Sequence, residues 1–144
     1  MTGLQQLPPV GLIHTDTLLV TDRHTVPQVD SSWPGFTDMP PVLATAMMIG
    51  FVEQTCIEAL RPHLTAAQHT VGTHVDISHV AATPIGMIVT ATIELLVVDG
   101  RALVFKVMCR DEHGLIGEGT HRRAIIDLQK FVQRIEEKHR QASV

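Results

Sequence analysis

The sequence predicts an α+β fold in which an antiparallel sheet wraps one long helix, and three observations carry that expectation. Residues 41–62, PVLATAMMIGFVEQTCIEALRP, form the one long stretch whose apolar residues recur at helical spacing. Most of the remaining chain either alternates apolar and polar positions, as a half-buried strand does, or is broken by Pro and Gly. An Asp99-Gly100 pair joins two such alternating runs, which is a strong hairpin signal.

Residues 1–10 read as a loose tail. In residues 11–26 the threonines and branched side chains of LIHTDTLLVT favour a strand. Residues 27–41 read as a lid-like loop, because Pro27, Pro34, Pro40 and Pro41 discourage regular structure. The loop nevertheless holds Trp33 and Phe36, two of the five aromatic residues in the chain. Rings of that size on irregular backbone either plug a core edge or cover a pocket.

On a helical wheel Val42, Ala46, Ile49, Val52, Cys56, Ile57 and Leu60 share one arc, with Gln54, Glu58 and Arg61 roughly opposite. The helix is expected to start just after Pro40-Pro41 and to stop at Pro62. Glu53 lies near the middle of the apolar arc and Thr45 also lies on it, so both are expected to point towards the core. A buried carboxylate costs on the order of several kcal/mol unless it is paired, hydrogen-bonded or protonated, so Glu53 marks a carboxylate tied to a structural partner, a helix rotated from this placement, or a reactive site. Thr45 is open to a plainer reading, since a threonine in the first turn commonly caps the helix. The first half of the helix is apolar nearly all round, counting Leu43, Met47 and Phe51, and an oligomer is expected to finish its burial.

After a connector over residues 63–69, residues 71–80 alternate. Thr73, Val75, Ile77 and His79 share one strand face, and His74, Asp76 and Ser78 share the other. His79 is therefore on the apolar parity, as either a core histidine or a functional one. Met87, Val89, Ala91, Ile93, Leu95 and Val97 mark one face of a long strand, and Leu103, Phe105, Val107 and Cys109 continue it beyond the hairpin. His113-Gly114 is the next turn. Residues 115–127 form the last strand, in which Gly117 and Gly119 share a face with His121 and Arg123 and leave room for another backbone, expected to be that of the helix. Residues 128–141 close the chain as a short docked helix, with Leu128, Phe131, Val132 and Ile135 at positions i, i+3, i+4 and i+7.

A chain of 144 residues is the length of one domain. A formal charge of −4 without a long basic run argues against nucleic acid as a partner. Two cysteines give no disulfide framework and the N-terminus has no charged-then-apolar leader pattern, so the cytoplasm is the expected compartment. Glu53, Gln54 and Glu58 leave the helix too short an apolar run for a membrane span. A metal site built from His69, His74 and His79 is disfavoured because His74 and His79 fall on opposite strand faces. Cys56, buried in a helix, is expected to be inert.

The ordered set of motifs resembles the fluoroacetyl-CoA thioesterase family of the hot dog superfamily. The matching blocks are Val42-Leu43-Ala44-Thr45, Gly50-Phe51-Val52-Glu53, Gly72-Thr73, His79-Val80-Ala81-Ala82-Thr83-Pro84, the eight residues from Gly117 to Ala124, and Leu128-Gln129-Lys130-Phe131. The resemblance implies a hot dog fold, a homodimer with active sites at the interface, and hydrolysis of a small acyl-CoA thioester without a metal or cofactor. It makes Thr45, Glu53 and His79 the catalytic residues and Gly72 and Arg123 substrate contacts. The family's lid carries a pair of phenylalanines; Phe36 matches one, and Met39 stands at the second position.

Thioester hydrolysis needs an activated nucleophile and a stabilised oxyanion. Glu53 can serve as general base on water or attack the carbonyl itself, His79 can move protons, Thr45 can supply a hydroxyl, and backbone N–H groups at the helix start can hold the oxyanion. Eight residues of helix span about 12 Å, so Thr45 and Glu53 address one carbonyl only if Thr45 lies at the helix end or if two protomers contribute. Two rival expectations are a non-catalytic acyl-CoA-binding module and an enoyl-CoA hydratase.

Overall fold

The computed structural model describes residues 7–142, so most of the expected tail lies outside the described residues. Strands β1 (Ile13–Leu19), β2 (Gln68–Ile77), β3 (Ile88–Asp99), β4 (Ala102–Arg110) and β5 (Leu115–Asp127) form one antiparallel sheet in the order β1-β3-β4-β5-β2. The hairpin at Asp99-Gly100 forms as expected, with Asp99 paired to Ala102 and Gly100 at φ 58°, a conformation that favours glycine. Helix α2 (Thr45–Leu60) packs across the sheet, following the single-turn helix α1 (Pro34–Thr37); α3 (Leu128–Ala142) ends the described chain. This is the hot dog arrangement. No helix among the described residues is long and apolar enough to cross a membrane.

The core follows strand parity. Val89, Ala91, Ile93 and Leu95 of β3, with Leu103, Phe105, Val107 and Cys109 of β4, are buried against α2. The expected face departs at both ends: Met87 lies before β3 and is half-buried, and a bulge between Leu95 and Val97 shifts the register, leaving Val97 at 45% exposure and turning Val98 to the core. The first strand is shorter than residues 11–26, because residues 22–24 and 26–28 close into 3-10 turns.

The helix begins later than expected. Val42 bridges Pro84 and Leu43 bridges Thr25, so this segment is still extended and Ala44 is the N-cap. Its buried face is Met48, Phe51, Val52, Thr55, Cys56, Ala59 and Leu60, while Ala46 is exposed and Ile49 and Ile57 are half-buried. The wheel was thus misplaced in rotation, because a half-helix apolar nearly all round gives no sharp maximum and the curved sheet decides which side it takes. Leu43 and Phe51 are buried and Met47 packs on the core within one chain, which removes the reason first given for an oligomer.

Gly117 and Gly119 do admit close backbone, but it is that of β2 and its continuation; the helix reaches Gly117 only through the Met48 side chain. A Cβ at Gly117 would overlap the Ser78 carbonyl oxygen, and one at Gly119 the Asp76 carbonyl oxygen. The C-terminal helix forms without docking along its length: Leu128, Val132 and Ile135 stay exposed, and the Leu128 N–H bonded to the Ala67 carbonyl tethers its start.

Candidate active site

The polar residues singled out in the sequence gather in two clusters. The first is built on Arg123, whose side chain projects from β5 to the inner face and is only 2% exposed. A buried guanidinium must have its donors satisfied and its charge compensated. Nε donates to Thr70 Oγ1 (2.9 Å) and Nη2 to the Thr70 carbonyl (2.9 Å), while Nη1 donates to Glu53 Oε2 (2.8 Å) and lies 3.1 Å from His121 Nε2. Glu53 itself is not in the middle of a buried arc; its side chain is 38% exposed at the rim of the helix face. Glu53 is expected from the sequence to point to the core; in the fold its carboxylate borders solvent and its arginine partner is the buried member. No hydrogen bond from the described residues reaches Glu53 Oε1, so one oxygen is pinned and the other is unclaimed.

Gly72 makes this cluster possible. A Cβ there would stand 2.9 Å from Glu53 Oε2, 3.2 Å from His121 Cε1 and 3.4 Å from Arg123 Nη1. The β-bulge between Gly72 and His74 marks the same point on β2. A cavity of about 310 Å³ lies between the end of α2 and the start of β2, lined by Ile57, Arg61, Leu64, Ala66, His69 and Thr70.

The second cluster pairs Thr45 with His79. Thr45 is the first residue of α2 and is exposed, not directed to the core. His79 lies beyond the end of β2, so strand parity does not set its direction. Its segment nonetheless continues the ladder, through Ser78 N–H to the Glu118 carbonyl (2.9 Å) and Val80 N–H to the Ile116 carbonyl (2.7 Å). Leu43 N–H then bonds the Thr83 carbonyl (2.8 Å), and the buried Thr83 hydroxyl donates to Asp111 (2.9 Å), which fixes the loop beside the helix start. Thr45 Oγ1 and His79 Nδ1 meet at 2.7 Å. Burial holds the His79 ring below the ordinary histidine pKa, with a partial opposing effect from the Ala81 backbone. Its Nε2 is buried without a partner of hydrogen-bond geometry among the described residues.

The segment of residues 27–41 is closed at its neck by Val26 N–H to the Val42 carbonyl (3.0 Å) and Ala44 N–H to the His24 carbonyl (2.9 Å). Within it Trp33 and Phe36 meet edge to face at 5.1 Å between ring centroids, on the single turn of α1. Trp33 and Met39 are about half exposed, so these side chains do not plug the core of their own chain.

Cys56 as a nucleophile finds no support in this geometry. Burial pushes the Cys56 thiol up to about 12, with Arg123 opposing and Glu53 adding, so no thiolate forms near neutral pH. Among the described residues no three His, Cys, Asp or Glu side chains are placed to hold a metal ion. Sequence reasoning missed Thr70 and the role of His121; the available signal was two polar residues on the glycine-bearing inner face of β5.

These features can be set beside known proteins. The chain is 39% identical over 129 residues to a fluoroacetyl-CoA thioesterase of Streptantibioticus cattleyicolor, covering 90% of this chain and 93% of that protein. A solved structure of a fluoroacetyl-CoA thioesterase superposes with a TM-score of 0.88 at 38% identity, over 90% of this chain and 96% of the other. A hot-dog-like protein from Thermanaerovibrio acidaminovorans shares the fold alone, with a TM-score of 0.77 at 22% identity over 90% of this chain and 92% of that one. Residues 20–129 match the model of the fluoroacetyl-CoA-specific thioesterases, and the chain belongs to that family.

Proposed function

We propose that the protein hydrolyses the thioester of a small acyl-CoA to the free acid and CoA, with Thr45, Glu53 and His79 as its reacting groups. The observation that carries this reading is Glu53, with one oxygen pinned by a buried arginine and the other unclaimed at a solvent-facing rim. Such a carboxylate takes a proton from water as the water attacks the thioester carbonyl. The free oxygen also permits direct attack, giving an acyl-enzyme that water then opens; rapid-quench isolation of acylated Glu53 separates the routes. Ala44, the N-cap, has no capping side chain, which leaves N–H groups in the first turn of α2 for the oxyanion. His79, whose pKa burial lowers, rests as a proton acceptor and can pass to the departing sulfur the proton that Glu53 draws from the attacking water. Gly72 and Arg123 shape the pocket floor by setting where the Glu53 carboxylate stands. Water is the only co-reactant.

The two clusters complete one site across a homodimer. Eight helical residues separate Thr45 from Glu53 by about 12 Å, too far for one thioester carbonyl to touch both within a chain. A twofold axis beside the open edge of β2, where Val75 is 47% exposed, would set Thr45 and His79 of one protomer opposite Glu53 of its partner. The buried, unpartnered His79 Nε2 supports a group supplied from outside the chain. Light scattering at micromolar concentration is expected to give a dimer, and a fully active monomer would exclude the composite site. Free, buried Cys56 and Cys109 suit a reducing compartment, and we place the protein in the cytoplasm.

The test is thiol release across a panel of acyl-CoAs. Binding without thiol release would support the binding-module reading, and consumption of an enoyl double bond with the thioester intact would support the hydratase. Within the panel, Met39 in the lid is expected to weaken discrimination between fluoroacetyl and acetyl groups, because its flexible side chain closes over a small acyl group less rigidly than a phenylalanine. Met39→Phe should raise the ratio of kcat/KM for fluoroacetyl-CoA over acetyl-CoA. A high ratio in the wild type, unmoved by the substitution, would show that the lid does not set selectivity.

A further inference from the structure

Resting on the reading of Glu53 as the reacting carboxylate, we infer that His121 is a positioning residue: a neutral imidazole of fixed tautomer that sets Arg123, and through it the Glu53 carboxylate. His121 is 1% exposed and lies on the inner face of β5, two residues before Arg123. Its Nδ1 is 2.8 Å from the His74 carbonyl oxygen, which only accepts, so Nδ1 carries the proton. Nε2 is then a bare acceptor, and it lies 3.1 Å from Arg123 Nη1, which only donates. The proton positions follow from the partners and leave one arrangement.

The consequence reaches Glu53 because Nη1 is shared. It donates to Glu53 Oε2 at 2.8 Å and to His121 Nε2, while Thr70 takes Nε and Nη2. The guanidinium is thereby fixed on three sides, and the carboxylate receives a single bond to one oxygen instead of a two-pronged grip on both. Oε1 is left for chemistry. A protonated His121 would set a second cation against Arg123 and remove the acceptor from Nη1. The charged and titratable groups facing the ring are Arg123 on its own strand, Glu53 on α2 and His74 on β2; burial first, then Arg123, holds the ring below the ordinary histidine value, with the His74 carbonyl and Glu53 opposing.

The test uses two variants of the full-length protein. His121→Phe keeps a planar ring and removes the acceptor; His121→Gln returns an amide oxygen near the place of Nε2. The Phe variant is expected to lose about 10- to 100-fold in kcat with little change in KM, the scale of a misplaced reacting group, and the Gln variant to recover most of it. Two readouts do not depend on turnover. The long-range proton–nitrogen spectrum of the wild-type ring should show Nδ1 protonated and Nε2 bare at neutral pH, and the Glu53 carboxyl carbon signal should move in the Phe variant and return in the Gln variant. Should Glu53→Gln keep wild-type activity, the reading of Glu53 fails while these spectra still judge His121. A ring protonated at Nε2, or a Glu53 signal unmoved in a folded Phe variant, would overturn the inference. If the Phe variant does not fold, the wild-type spectrum and the Gln variant decide alone.

Discussion

Glu53→Gln is expected to lower kcat for thioester hydrolysis by about 10²- to 10⁴-fold, the range typical of a lost general base. Glutamine keeps the shape and can still accept the Arg123 Nη1 hydrogen bond through its amide oxygen, but it neither takes a proton from water nor attacks as a carboxylate. The substitution has a second effect that has to be measured beside the first. Arg123 is 2% exposed, and without the Glu53 charge its guanidinium stays buried and uncompensated. Breaking a fully buried pair costs about 3–5 kcal/mol, and because the Glu53 side chain is 38% exposed the cost here falls below that range. A circular dichroism melt should therefore show a folded protein with a lowered Tm. Turnover within threefold of wild type in that folded protein would take Glu53 out of the chemistry.

Gly117→Ala is expected to damage stability and activity together. The added methyl would overlap the Ser78 carbonyl oxygen and press on Met48 Cε at 3.2 Å, and neither neighbour is free to retreat: one is backbone and the other is fully buried. Overpacking of this kind costs about 1–3 kcal/mol, which for a chain of this length lowers Tm by about 3–10 °C. The strain falls on residues 78–80, whose ladder bonds to Glu118 and Ile116 hold His79 beside Thr45, so turnover should fall by more than the unfolded fraction explains. Gly35→Ala is the stability control, since a Cβ there meets nothing within 4 Å. Equal melting temperatures for the two variants would mean that the β2 extension yields without cost.

The local pattern settled a good deal before any contact was known. Alternation and the Asp99-Gly100 turn defined the β3–β4 hairpin, and residues 115–127 emerged as a strand with the bounds that β5 has. Leu103, Phe105, Val107 and Cys109 were read as core from parity alone, because a strand's two faces are fixed by its own backbone. The small residues at Gly117 and Gly119 announced a close approach, and the family motifs marked Thr45, Gly72, Glu53, His79 and Arg123.

Tertiary structure decided the rest, because it depends on partners far away in the chain. Thr45 meets His79 across 34 positions and Glu53 meets Arg123 across 70, distances at which no periodicity carries information. The rotation of α2 was set by the curvature of the sheet beneath it, and the turn from Val97 to Val98 by a bulge that leaves no plain mark in the sequence. Which member of the Glu53–Arg123 pair lies inside follows from how α2 packs on the sheet that carries Arg123. A lone carboxylate on an apolar arc signals that a partner is needed; only the fold supplies the arginine, buries it, and leaves the carboxylate oxygen open.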